Sequence, residues 1–184
     1  MYAITGITGQ VGGAAARSLL AAGQPVRAVV RNAGKGETWA AQGCQVALAE
    51  MHDAAALQAA FTGVEGVFIL LPPIFAPSPG FQETRRTVAA LHQALAAARP
   101  AKVVCLSTIG AQAEPENLLT QLQIMEQELG RLDLPLAFLR PAWFMENALW
   151  DIAPAQHWRD PEFPAAAGQA GADGRHCRCR TGRR

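Results

Sequence analysis

Ile4-Thr5-Gly6-Ile7-Thr8-Gly9-Gln10-Val11-Gly12-Gly13 is the stretch that decides the fold. It follows a short apolar run, Met1 to Ile4, and opens a small-residue segment of helical character, Ala14 to Ala22. Glycines at 6, 9 and 12 fall where a strand must turn sharply into a helix. Gly6 permits the tight turn, Gly9 lets the backbone approach a bound group, and Gly12 lets the helix lie close on its strand. The first N–H groups of a helix lack partners and carry the positive end of its dipole, so the turn forms an anion site. A glycine triplet alone is weak evidence. Between a strand and a helix it has the context it requires.

Beyond this turn, strands and helices alternate. Pro25 to Val30 is a β-rich run, and Arg31 to Gly36 reads as the polar loop after it. Thr38 to Gln42 is a short helical stretch broken by Gly43, and Gln45 to Leu48 is a third strand. Asp53 suits an N-cap for a helix over Ala54 to Phe61. Gly66 to Leu71 is a continuous apolar run closed by Pro72 and Pro73, as expected of a parallel strand buried on both faces. Phe81 to Ala98 carries Val88, Leu91 and Leu95 at helical spacing. Lys102 to Leu106 is a fifth strand, Asn117 to Leu129 a helix ending at Gly130, and Leu136 to Leu139 a sixth strand. This alternation predicts an α/β fold, a doubly wound parallel sheet of the Rossmann type in the order 3-2-1-4-5-6. Ligands of such sheets bind beyond the carboxyl ends of the strands, so the loops that follow the strands form one functional rim.

The end of the second strand chooses between dinucleotides. A carboxylate there binds the ribose hydroxyls of NAD, whereas a basic residue accommodates the extra phosphate of NADP. This chain has Arg31, Asn32 and Lys35, with no carboxylate before Glu37, which favours NADP(H) over NAD(H). Glu50 and Met51 are candidates to flank the adenine. Leu71 and Pro72 are expected at the nicotinamide edge. Ser107 and Thr108 are candidates for a bond to the nicotinamide ribose or to a substrate oxygen, though both are ordinary turn formers.

Bulk properties narrow the class. A chain of 184 residues, half of them apolar and with net charge +1, suits one globular domain with a full core. No apolar run approaches the roughly 20 residues needed to span a bilayer, and no signal-peptide pattern opens the chain, so cytoplasm is the expected location and a membrane is not an expected partner. Cys44 and Cys105 read as buried small apolar residues rather than a disulfide framework. The last twenty residues hold five arginines, one aspartate and no large apolar side chain, and carry net +4. Residues 1–164 are therefore mildly acidic, which argues against a nucleic-acid groove. Disorder is the expectation for such a tail. His176, Cys177 and Cys179 within it make a poor metal site, and no His pair elsewhere has ligand spacing, so no metal is expected.

The ordered set GITGQVG, VVRN, GVEGVFILLPP, LSTIGAQ and LRPAWFMEN resembles the NmrA-like family, atypical members of the short-chain dehydrogenase/reductase superfamily. The similarity covers about residues 1–150, leaving 151–184 as a remnant segment and tail. It implies NAD(P)(H) binding, with functions ranging from quinone or azo-dye reduction to redox sensing. By position, Thr8, Gly9, Gln10 and Val11 would meet the pyrophosphate, and Arg31 the adenosine 2′-phosphate. Family members normally continue past this region, so the abrupt change to Ala/Gly/Arg composition suggests a shifted frame or a truncated gene.

Ordinary short-chain dehydrogenases use a tyrosine with a lysine four residues later on one helix. Here the only tyrosine is Tyr2 and the only lysines are Lys35 and Lys102, so that dyad cannot form and no catalytic acid is assigned. Glu126 and Glu128 share the Asn117 to Leu129 helix with no basic partner on it and read as a solvated face. Two classes of function remain: hydride transfer to a quinone-like or other small electrophile, and a non-catalytic NADP(H) sensor acting on a protein partner. An inactive truncated form is a third.

Overall fold

The computed structural model describes residues 1–149 and 152. The expectations for the Ala/Gly/Arg tail, His157 and His176 to Cys179 lie outside the described residues. Met1–Trp143 forms one compact unit, with residues 144–184 a second. Within the first unit the strands are β1 (Tyr2–Ile4), β2 (Val26–Val30), β3 (Gln45–Leu48), β4 (Gly66–Leu70), β5 (Lys102–Leu106) and β6 (Leu136–Leu139). The helices are α1 (Gln10–Ala21), α2 (Ala33–Ala40), α3 (Ala54–Phe61), α4 (Gln82–Ala98) and α5 (Thr120–Leu129). All six strands are parallel, in the order β3-β2-β1-β4-β5-β6, as the alternation of elements predicts.

Side chains of a strand alternate between faces, and the core divides accordingly. Ile4, Ala28 and Val30 pack with Ile7, Ala16 and Trp39 beneath α1 and α2. Ala3, Val29, Val67, Ile69 and Cys105 pack on the other face with Leu57 and Phe61 of α3, Leu91 and Leu95 of α4, and Met125 and Leu129 of α5. Both faces of the sheet are covered, which explains why β4 and β5 read as continuous apolar runs.

Three helix starts differ from the sequence expectation, each for a local reason. α1 begins at Gln10 rather than Ala14, because Gly12 and Gly13 lie inside the helix. A Cβ on Gly12 would stand 2.4 Å from the Gly6 carbonyl oxygen, so only glycine lets the helix pass there. α2 begins at Ala33, within the stretch expected as loop, because the Asn32 side chain caps it by accepting from Gly34 N at 2.8 Å. α5 begins at Thr120 rather than Asn117. The Asn117 side chain accepts from Leu119 N at 2.7 Å and so closes a local turn that competes with the helix. The segment Met145-Glu146-Asn147 falls in a short 3-10 helix of the second unit.

Candidate functional site

Strand order reverses at β1, which lies between β2 and β4. Thr5, fully buried just past β1, bridges to β4 there: its hydroxyl accepts from Leu70 N at 2.9 Å and faces the Phe68 carbonyl at 3.3 Å. Gly6 follows at φ +61°, a left-handed conformation that glycine adopts without strain. Gly9 N donates to Gly6 O at 3.0 Å and closes the turn. Gly9 is the N-cap of α1, and Gly13 N donates back to its carbonyl at 2.9 Å. The N–H groups of Gln10, Val11 and Gly12 have no acceptor among the described residues, and no side chain caps this end. With no acidic residue in the first turn, the helix terminus is open to an anion.

This turn forms one wall of a cleft of about 620 Å³. Gly6, Thr8 and Gly9 line it from β1, Arg31, Asn32 and Lys35 from the end of β2, and Glu50 and Met51 from the end of β3. Leu70, Pro72 and Pro73 close it beyond β4. Nine of the residues singled out in the sequence thus share one hollow: Gly6, Thr8, Gly9, Arg31, Asn32, Lys35, Glu50, Met51 and Pro72. Gln10, Val11 and Gly12 form the helix turn beside it without lining it. Leu71 faces a second, apolar hollow next door. Arg31 and Lys35 are exposed, and both cations of the cleft stand without a hydrogen bond or ion pair among the described residues. The hollow, its open N–H groups and its cations fit a dinucleotide phosphate.

Ser107 and Thr108 behave differently. Neither lines either of these two hollows, and the nearly buried Ser107 donates its hydroxyl to Glu126 Oε1. Glu126 also accepts from Arg140, Nε to Oε1 at 2.8 Å with a second bond from NH2 to Oε2. The expectation of a solvated Glu126 is therefore corrected: its side chain is only 11% exposed, and it ties α5 to the carboxyl ends of β5 and β6. The Arg140 guanidinium holds the Glu126 carboxyl below its usual range, with the Ser107 hydroxyl adding to the effect. Glu128, read the same way, pairs with Arg131 at 3.0 Å on the surface. Burial pushes the Cys105 thiol up to about 12, so it stays protonated.

Sequence reading missed three contributors. Thr5, hidden inside the glycine motif, braces the turn by accepting from Leu70 N, while His52 lines the cleft one residue past Met51 and Thr87 reaches it from α4. Only the position of Thr5 between strand and glycine turn offered a signal. The single tyrosine does meet a lysine in space, Lys102 Nζ lying 5.4 Å from the Tyr2 ring centre, and both engage Glu65. That cluster sits at the start of β1, β4 and β5, the opposite end from the cleft. Among the described residues no helix is long and apolar enough to cross a membrane.

Known proteins of similar sequence share this architecture. An NAD(P)H azoreductase of Xenophilus azovorans is 31% identical over 150 residues, covering 81% of this chain and 50% of that protein. A quinone oxidoreductase of Escherichia coli, NADPH-dependent and solved in complex with NADPH, superposes with TM-score 0.71 at 32% identity, over 84% of this chain and 53% of its own. Citrobacter sp. triphenylmethane reductase complexed with NADP(H) gives 0.72 at 25% identity, over 85% and 55%. This chain spans about half the length of the curated relatives it matches. The profile of an NAD(P)H-binding family matches residues 6–157, and the chain belongs to that family, in its NmrA-like, atypical short-chain dehydrogenase/reductase branch.

Proposed function

We propose that this chain is the cofactor-binding part of an oxidoreductase that prefers NADPH and passes hydride to a quinone-like or other small electrophilic acceptor. The observation that carries the reading is a single cleft beside the open N–H groups of the α1 terminus, lined by two cations, Arg31 and Lys35, that have no partner among the described residues. Thr8 and the N–H groups of Gln10, Val11 and Gly12 hold the pyrophosphate, with Gly6 and Gly9 giving it room. Arg31 meets the adenosine 2′-phosphate, supported by Lys35, while Asn32 fixes the start of α2 so that Lys35 faces the cleft. Glu50 and Met51 flank the adenine, and Leu71 and Pro72 edge the nicotinamide. Ser107 and Thr108 lie outside both hollows and take no cofactor contact in this proposal. When bound, the nicotinamide supplies the hydride; the protein orients it and excludes water from one face. No protein acid is needed, since solvent can protonate a reduced quinone oxygen.

The relatives' names, an NAD(P)H azoreductase, an NADPH-dependent quinone oxidoreductase and a triphenylmethane reductase, support a reading in which a small conjugated molecule is reduced. Calorimetric titration with NADPH and NADH, followed by NADPH consumption with a panel of quinones, tests the proposal. Tighter binding of NADPH and quinone-dependent turnover are expected. Folded protein that binds neither cofactor overturns it, and binding without turnover under any acceptor favours a sensor.

A further inference from the structure

Beside the cofactor cleft lies a second hollow of about 250 Å³. Pro72, Pro73 and Thr87 line both, so the two share a wall. Leu71, Ile74 and Phe75 form one side of the smaller slot, and Leu118, Leu119 and Leu122 the other. Among the described residues no charged side chain lines it.

Two polar side chains form its floor, Thr84 at 2% and Gln121 at 6% exposure. Both are engaged with the protein. Thr84 Oγ1 donates to Gln121 Oε1 at 3.1 Å, and Gln121 Nε2 donates to the carbonyls of Ile74 at 2.9 Å and Leu118 at 3.1 Å. Gln121 thereby ties the loop after β4 to the start of α5 and fixes the gap between the two apolar sides. With both amide donors used, the floor has no N–H left for a ligand. Thr87 differs: its hydroxyl makes no hydrogen bond with a described residue, and it lies in the wall shared with the cofactor cleft.

We propose that this slot is the acceptor site, that it takes an uncharged flat molecule of one or two fused rings and rejects charged rings of the same size, and that Thr87 donates a hydrogen bond to the acceptor's reducible oxygen. The proposal rests on the oxidoreductase reading and adds the substrate class to it. Size follows from volume, since the slot, at about 250 Å³, is smaller than the roughly 300–1,000 Å³ of pockets that hold drug-sized molecules. Charge rejection follows from desolvation: an ionic group entering a slot with no counter-charge and no spare donor loses its hydration without replacement.

The test is binding of naphthoquinone and of naphthoquinone sulfonate to the full chain, followed by NMR with and without NADP⁺. Variants Leu118→Asp and Thr87→Val are measured beside the wild type. The neutral ring is expected to bind at least about tenfold more tightly than the sulfonate, as an unpaired charge in an apolar site costs well over 1 kcal/mol. Leu118 is 46% exposed, so an aspartate there leaves the fold intact while placing a charge on the slot, and it should abolish the neutral ring's preference. Thr87→Val should weaken the neutral ring about fivefold, the loss of one neutral hydrogen bond. Equal affinity for the neutral and sulfonated rings overturns the proposal, as does ring binding that ignores Leu118→Asp. Failure of NADP⁺ binding alone sinks the cofactor reading instead, because ring binding without cofactor is measured separately.

Discussion

Two arginines stand in the same local setting and have opposite roles. Arg31 follows Val30 at the end of β2, and Arg140 follows Leu139 at the end of β6. Each is a cation just past an apolar strand on the carboxyl rim of one sheet. Arg31 has no partner among the described residues and faces a cleft. Arg140 is held by Glu126, which also takes the hydroxyl of Ser107. The rim over β1 and β2 keeps its donors open, whereas the rim over β5 and β6 satisfies its own. A rim binds ligand where its polar groups are left unsatisfied by the protein, and stabilises the fold where they are not.

The strongest way to break this contrast is to close the open rim. In Gly12→Ala the new methyl would meet the Gly6 carbonyl oxygen at 2.4 Å, a rigid backbone atom rather than a flexible side chain. The helix must shift off the turn, with an expected loss of about 3 kcal/mol of stability or more and of all cofactor binding. Urea unfolding and calorimetry read both effects, and a wild-type midpoint in this variant would refute the packing role of Gly12. Next in size, Arg31→Ala should weaken NADPH by roughly 10–100-fold, the value of a charge-assisted phosphate contact, and leave NADH unchanged. Its unfolding midpoint should stay at the wild-type value, since no described partner is orphaned.

Glu126→Gln reverses that pattern. It should cost about 1–3 kcal/mol of stability, the range for hydrogen bonds to a charged group, and leave NADPH affinity alone. A loss of affinity equal to that of Arg31→Ala would show that the two rims are not separable. The same pair sets a smaller pH effect. Because Arg140 lowers the folded-state pKa of Glu126, the unfolded state takes up its proton first as pH falls. The stabilisation is complete above the ordinary carboxylate pKa and is lost as pH falls through the lowered folded value. Urea midpoints measured from neutral to acid should therefore fall less steeply in Glu126→Gln than in the wild type. Smallest of all, Tyr2→Phe removes only the exposed bond to Glu65, and its melting temperature should match the wild type.

Local sequence rules gave most of the fold because each rests on nearest neighbours. The glycine spacing, the apolar runs closed by prolines and the Asp53 cap act within a few residues, and six strands in the stated order followed. The cleft was legible for the same reason: a strand end followed by a loop places Arg31, Lys35 and Glu50 on one rim in any doubly wound sheet. The limits lay where partners are far apart in sequence. Ser107 is 19 residues from Glu126, and Glu126 is 14 from Arg140, so nothing local distinguished a tied serine from a free one. Thr87 likewise lines the cleft from α4, well over ten residues along the chain from Pro72 and Pro73 beside it. By itself, then, the sequence determined the sheet, its order and the glycine turn, all set by steric and hydrophobic patterns of short range. The tertiary structure alone decided which polar groups on the rim remain open, because hydrogen-bond satisfaction depends on which distant residues are brought within about 3 Å.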